Sequence, residues 1–376
     1  MIVDLLIPTG QKPPFFWLID ENFNKVEIIE GRRANYSVAS IEWTTSFEKA
    51  DSFAANIPLN REINREMIDK IMAPETAFIL RGDTLQLCWI TRKKFENDVL
   101  DLAGEGLEGL FVKRFTSEAD YLPVGPNLDV NFVGRVMCDI INNNNPFAWA
   151  YAERLDNNTG PSIATFTEAT GNVFKYLQNL SKTWNVAYGF RYNPQYKRAD
   201  FKTKEVLPIG VQIPGRTYKL YESMGNIRPV NYTKDTSKYM NFCRVMGEEG
   251  HTAFVDIRPL DGSNQPIGER YDFSIKAKAR LGDMGVPQYM DLLQAEGKQE
   301  LSKRRIDEVF SLEPIGNVNI DIGWEVDIGS RSLGITRVLF CTEIKEVWEG
   351  GYIKNYTFGY QEDPREIEVA RLSQEI

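Results

Sequence analysis

The sequence predicts a β-rich α+β protein in which two strand-rich regions flank a mixed α+β domain, with a long helix in the second half. Three observations predict this. Period-two alternation recurs in short segments near both ends of the chain, punctuated by Gly, Pro and Asn-Asp turns. Helical periodicity takes over after Gly104. A chain of 376 residues, 42% hydrophobic and 26% charged, has the balance of a soluble globular protein with material for two or three domains.

The first domain is placed at 1–104. It reads as short strands at "IVDLLIP", "FFWLID", "KVEIIEG" and "YSVASIEWTTSF", where Ala39, Ile41 and Trp43 alternate with Ser40, Glu42 and Thr44. A helix at "NREINREMIDKIM", with Asn60 as N-cap and Ile63, Met67 and Ile71 on one stripe, is expected to cap an open end of a sandwich or barrel. Strands resume at "TAFILRG", "DTLQLCWITRKK" and "NDVLDLAG", joined by Gly82-Asp83 and Asn97-Asp98 turns.

An α+β middle domain is placed at 105–222. "EGLEGLFVKRF" and "NFVGRVMCDIINN" repeat apolar residues at helical spacing, and the run Asn142 to Asn145 before Pro146 is a helix stop. "TEATGNVFKYLQNLSKTWN" sets Val173, Phe174, Leu177 and Leu180 on one helix face, and "VAYGFRYNPQYKRADFKTK" is a hairpin turning at Asn193-Pro194.

The second strand-rich domain, 223–360, opens with strands at "NIRPVNYT", "MNFCRVMGEEG" and "RYDFSIKAKA" and carries an inserted long helix at 287–310. Gly297 inside that helix costs about 1 kcal/mol relative to Ala and marks a kink or a close contact. Four strands follow, at "SLEPIGNVNI", "GWEVDIG", "ITRVLFCTEIKEVWEG" with a bend, and "YIKNYTFGY". Residues 361–376 read as a C-terminal helix with Asp363 as N-cap and Pro364 in its first turn. Both strand-rich regions run helix, strand, turn, long strand, a weak internal echo.

Composition excludes several functions. Lys+Arg 44 against Asp+Glu 53 gives a net charge of −9, which repels a phosphate backbone and argues against a sequence-reading DNA binder. A single histidine, His251, removes most imidazole-dependent triads and zinc sites. Cys88, Cys138, Cys243 and Cys341 form no C-x-x-C pair and read as reduced, buried thiols. No apolar run approaches the roughly 18 residues of a membrane span, and "MIVDLLIPTGQK" lacks a basic leader, so neither a span nor a signal peptide is expected.

The sharpest short motif is "GEGLEG", Gly104 to Gly109, after a strand and before a helix as in a dinucleotide site. Glu105 and Glu108 would sit beside a pyrophosphate, so the preferred reading is a turn and cap. Glu346 with Glu349, or Asp321 with Glu325 and Asp327, offer a glycosidase-type carboxylate pair, although a solvated surface explains them as well. In "NVNIDIGWEVDIG" acids alternate with apolar residues, giving a half-buried strand whose acidic face is solvated or lines a channel. Basic residues in "KKFENDVLDLAGEGLEGLFVKR" and "KRRIDEVF" are mixed with acids and read as solvated faces or intersubunit contacts. No catalytic residue, cofactor site or metal site is assigned.

The order of segments resembles the tail hub proteins of bacterial viruses, the baseplate or tail-tip hubs of siphoviruses and of contractile phage-like particles. Four stretches carry the resemblance: "SIEWTTSFEKADSFAANIPLN" with Ile57-Pro58, "VLDLAGEGLEGLFVKR" ending in Arg114, "NYTKDTSKYMNFCRVMGEE" with Asp235, Ser237, Tyr239 and Asn241, and "IGWEVDIGSRSLGITRVLF…IKEVWEGGYIKNYTFG". Trp324 stands where many relatives have Asp. The resemblance implies two related tube-type β-barrel domains, with three chains closing a ring of six barrels that joins a six-fold tail tube to a three-fold spike or fibre. It also implies a non-enzymatic homotrimer. Its partners would be the tail tube or distal tail protein, a tape measure protein and a central spike or receptor-binding fibre, with DNA passing through without specific binding. The location would be the virion tail tip or baseplate, and the host cytoplasm during assembly. The chain stops at Ile376 without the peptidase or wall-hydrolase domain of larger relatives, and the helix from Pro364 is the expected link to a spike. The rival reading is a tail-tip glycan-binding or glycan-cleaving protein using Trp348, Glu346 and Glu349, and a third is a nucleotide-dependent enzyme working through "GEGLEG".

Overall fold

Alternating apolar residues set the strands, and their order shows which of them share a sheet. The computed structural model describes residues 14–30, 39–58, 69, 71–72, 76–116, 132–145, 147–161, 171–209, 218–282, 285–316, 318–349 and 351–359. The first part forms β1 (Phe16–Asp20), β2 (Lys25–Glu30), β3 (Ser40–Ser46), β4 (Ser52–Pro58), β5 (Thr76–Arg81), β6 (Gln86–Glu96) and β7 (Val99–Gly106). A 3-10 turn at Leu107–Lys113 leads to β8 (Phe115–Thr116), α1 (Val133–Asn144), β9 (Ala150–Tyr151), β10 (Gly171–Asn172), α2 (Val173–Trp184), β11 (Val186–Asn193) and β12 (Arg198–Glu205). The last part holds β13 (Lys219–Tyr221), β14 (Asn231–Asp235), β15 (Phe242–Met246), β16 (Thr252–Asp256), β17 (Asp272–Lys276), α3 (Val286–Ser302), β18 (Asp307–Leu312), β19 (Glu325–Ser330), β20 (Ile335–Trp348) and β21 (Tyr352–Gly359).

The chain is β-rich α+β, as its patterning predicts. One sheet runs β14-β18-β21-β20-β3-β4-β7-β6-β11-β12-β9 and so crosses from the last strands to the first. The crossing is the antiparallel pairing of β20 with β3, in which Trp348 faces Ile41 and Glu343 faces Ser46. The expected bend in β20 is a bulge between Cys341 and Glu343. Before it the strand pairs with β19, and after it with β21 and β3.

Both faces of β5 are buried, which explains why "TAFILRG" is a continuous apolar run. Ile79 packs with Phe16, Trp43 and Leu100, while Phe78 and Leu80 pack with the middle helices. On those helices Val133, Val136, Met137, Ile140 and Ile141 of α1, and Val173, Phe174, Leu177 and Leu180 of α2, form the apolar stripes. Asn172 caps α2 by accepting from the Lys175 N–H at 3.0 Å. The Asn run ends α1 because Asn142 and Asn145 Nδ2 donate to the carbonyls of Ala152 and Ala150. Gly297 is a close contact: a β-carbon there would meet Val255 Cγ2 at 2.6 Å and Val245 Cγ2 at 3.0 Å, where α3 lies on the β15–β16–β17 sheet.

The expected helix at 287–310 is corrected to Val286–Ser302, with a strand at Asp307–Leu312. That segment pairs with β14 on one side and β21 on the other and buries Val309, Phe310 and Leu312, so ladder pairing on two edges outweighs its helical spacing. The strand expected at "SLEPIGNVNI" accordingly ends at Leu312. The helix expected from Gly104 starts later, because β7 continues to Gly106. The expected helix at 361–376, the strand "IVDLLIP", and Asn60, Ile63 and Met67 of the capping helix lie outside the described residues. Ile71 from that helix is helical and fully buried in the first core. Among the described residues no helix is long and apolar enough to cross a membrane.

The turn at 46–51, between β3 and β4, reaches β7, α2, β11, β20 and the segment just after α3. Phe47 is fully buried against Phe340, with ring centroids 4.9 Å apart, and its N–H donates to Thr342 O at 2.8 Å. Glu48 lies 3.8 Å from Lys182 Nζ near the end of α2 and 3.6 Å from Arg305 Nη2 just after α3. Its carbonyl accepts from Tyr188 OH at 3.0 Å, and Asp51 O accepts from Gly106 N–H at 2.6 Å. Phe47→Ala should therefore cost about 3–5 kcal/mol in urea unfolding. A loss under about 1 kcal/mol would show that the turn carries little of the structure.

Candidate functional site

A cleft opens where the first and last strands meet. Its main cavity, about 680 Å³, lies between the β5–β6 turn, the β11–β12 hairpin, residues 319–324 and the ends of β20 and β21. A second cavity of about 510 Å³ adjoins it and shares Arg81, Asp83, Asn319, Glu346 and Lys354.

Arg81, the last residue of β5, organises the floor. It is buried and donates to Asp83 through Nε at 2.7 Å and Nη2 at 2.9 Å, while Nη1 donates to Glu346 Oε2. Tyr352 OH donates to the other Glu346 oxygen at 2.6 Å, and the guanidinium lies 5.4 Å from the Trp348 ring centre. Burial alone would weaken the arginine's charge, but its hydrogen bonds to Asp83 and Glu346 hold its pKa above the usual range. Burial and the neighbouring Glu346 charge push the Tyr352 hydroxyl up, so it remains a donor.

Beneath the cleft lies a second polar cluster. Asp51 accepts from Ser46 N–H at 2.9 Å and from Gln86 Nε2 at 2.7 Å, with Arg191 Nη1 at 3.9 Å. Glu108 is 3% exposed, and its Oε1 accepts from Phe190 N–H at 2.9 Å while Oε2 has no partner among the described residues. Burial, then the Asp51 charge, pushes the Glu108 pKa up to about 8. Burial also raises that of Asp51, against the opposing pull of Arg191, Ser46 and Gln86.

The residues singled out from sequence fall as follows. Glu346 is held by Arg81 and Tyr352, and Trp348 is packed in the first core, so each shows the cleft only an edge and neither forms an open carbohydrate platform. Glu349 lies beyond the end of β20, its N–H donating to Gly351 O at 3.0 Å. Asp321 pairs with Lys204 at 2.5 Å, Glu325 Oε2 accepts from Ile209 N–H at 3.3 Å, and Asp327 accepts from Tyr221 OH at 2.7 Å. Half-buried Glu325 and Asp327 thus answer donors of the same chain instead of forming an open acidic face. "GEGLEG" is a packing motif: β-carbons at Gly104 and Gly106 would collide with Trp89 O and with Glu108. His251 rests edge-on against Tyr289. All four cysteines are free and buried, and burial raises their thiol pKa values. Sequence reasoning missed Arg81, Gln86, Asp51 and Arg191. The one local signal was a charged or amide residue at each end of the turn in "LRGDTLQL".

No protein-family profile and no curated protein matches the sequence. Solved structures match its fold. A 43 kDa tail protein of prophage MuSo2 from Shewanella oneidensis superposes with a TM-score of 0.53 at 10% identity, over 92% of this chain and 98% of that one. Prophage tail protein gp18 from Listeria monocytogenes EGD-e gives 0.53 at 9% identity, over 96% and 98%. A tail protein from Neisseria meningitidis MC58 gives 0.51 at 12% identity, over 93% and 97%. The chain has the fold of phage tail proteins, in accord with the resemblance in its sequence.

Glu108 supplies a pH test. Its ordinary pKa is 4.5 and its folded value about 8, so across that window the folded chain keeps a proton that the unfolded chain has released. Its contribution is complete below pH 4.5 and is lost as pH rises through about 8. Glu108→Gln should raise stability at pH 9 by about 1–3 kcal/mol and flatten that slope in denaturant titrations. An unchanged slope would place the proton elsewhere.

Proposed function

We propose that this chain is a structural hub at the distal end of a phage or phage-like tail. Three copies form a ring that joins a six-fold tail tube to a three-fold spike or fibre and surrounds the DNA passage. The observation that carries the reading is the match to phage tail proteins over nearly the whole of both chains, 96% of this one and 98% of the Listeria protein. The two strand-rich regions serve as the two tube-type barrels, and the α+β part between them braces the ring from outside. Boundaries near 104, 222 and 360 remain part of this proposal.

The β3–β20 pairing suits the role, because it joins the two regions into one sheet able to transmit load from tube to spike. Partners in this reading are the tube or distal tail protein, a tape measure protein and a central spike or fibre. DNA slides past a chain whose net charge of −9 repels it. The hub is built in the host cytoplasm and ends in the virion tail tip or baseplate. The role requires no catalysis. Occupation of Glu346 by Arg81 and Tyr352 favours it over the glycan-cleaving alternative.

Sedimentation of the purified chain alone, and mixed with its tail neighbours, tests the proposal. A trimer of about 129 kDa, three chains of 43.0 kDa, is expected, with six lobes around a pore in electron micrographs. A species of 43.0 kDa that stays monomeric with every tail neighbour would overturn it.

A further inference from the structure

The cleft is basic in an acidic protein. Arg81, Arg191, Lys202, Lys204 and Lys354 line it against Asp83, Asp321 and Glu346, whereas the whole chain carries −9. Arg81 is committed to Asp83 and Glu346, and Lys204 to Asp321. The other three cations, Arg191, Lys202 and Lys354, make no ion pair with an acid of the cleft lining. Lys354 makes no ion pair among the described residues and stands 5.2 Å from the Tyr356 ring centre. Lys202 pairs at 2.8 Å with Asp156, an exposed residue outside the cleft lining. Arg191, with 36% of its side chain exposed, donates through Nη1 to Phe190 O at 2.9 Å and stands 3.9 Å from Asp51, which leaves its other guanidinium N–H groups for a ligand.

We propose that this cleft binds an acidic peptide segment of a partner protein, whose carboxylates reach Arg191, Lys202 and Lys354. Charge complementarity selects an anion, and the geometry selects a peptide over a nucleic acid. A cavity of about 680 Å³ admits a few side chains but no duplex. Asp83, Asp321 and Glu346 stand among the cations and repel a continuous phosphate backbone, while separate carboxylates can settle between them. Half-buried Trp324, packed on Tyr218, adds an aromatic wall for the segment's stem. That the segment belongs to a tail component rests on the hub reading; the chemistry of the cleft does not.

The test is titration of the full chain with a fluorescent poly-glutamate peptide at about 0.15 M salt, with a single-stranded oligonucleotide as competitor. Saturable peptide binding is expected. Lys202→Glu combined with Lys354→Glu should weaken it about tenfold or more, while Lys94→Glu, at the exposed end of β6, leaves it unchanged. Arg191→Ala is made together with Asp51→Asn, so that the buried acid 3.9 Å away does not lose its counter-charge, and it should weaken binding similarly. Circular dichroism confirms that each variant is folded. No peptide binding, binding indifferent to the cleft variants, or an oligonucleotide that binds more tightly through the same lysines would overturn the proposal. A chain that stays monomeric yet binds the peptide would leave the cleft assignment standing and count against the trimer alone.

Discussion

Everything in this fold depends on how the turn at 46–51 is anchored. It is short and polar, yet it lies inside the protein, so its backbone and charged groups must be answered by the chain itself. The answers come from separate parts of the sequence: Thr342 for Phe47, Lys182 and Arg305 for Glu48, and Gln86 and Gly106 for Asp51. Each contact is modest, but together they fix β20, α2, the end of α3, β6 and β7 around one point. Two of the four apolar cores meet at this turn, since Ala50 packs in one and Phe47 in another.

The periodic parts of this architecture could be read from sequence because their cause is local. The stripe Val173, Phe174, Leu177, Leu180 and the Asn193-Pro194 hairpin depend on neighbours a few residues away. "DEVFSL" could not be read this way, since its strand state is decided by β14 and β21, more than 40 residues away on either side. Charge partners were hidden for the same reason. Arg81 and Glu346 are 265 positions apart, and nothing in "FILRGD" or "EIKEVW" names the other. The glycines of "GEGLEG" show the converse error, because a spacing that fits a phosphate loop here serves close packing against Trp89 and Glu108.

The acids the sequence offers for chemistry are largely occupied. Glu346 accepts one hydrogen bond on each oxygen, from Arg81 and from Tyr352, which fixes its orientation and compensates its charge. Glu108 is the exception in protonation but not in access, since it is enclosed by β7, β11 and the turn. The acids of the cleft are thus answered by partners of the same chain: Asp83 and Glu346 by Arg81, and Asp321 by Lys204.

Register is where the buried ion pair has its largest effect. Along β20, Ile344, Glu346 and Trp348 share the face that meets Thr45, Trp43 and Ile41, so a charge sits between apolar residues on a buried face. As a source of stability this is a poor device, because desolvating Arg81 and Glu346 costs about as much as their attraction returns. As a device for alignment it is effective. A slip of one residue would bring Lys345 or Val347 toward Arg81, leaving either two like charges or an unanswered guanidinium, and would turn Trp348 out of the first core. The pairing that joins the two strand-rich regions is thus held in a single alignment by a contact between residues 265 positions apart. In the proposed hub role, bridging two elements of a larger assembly, that constraint matters more than further stability.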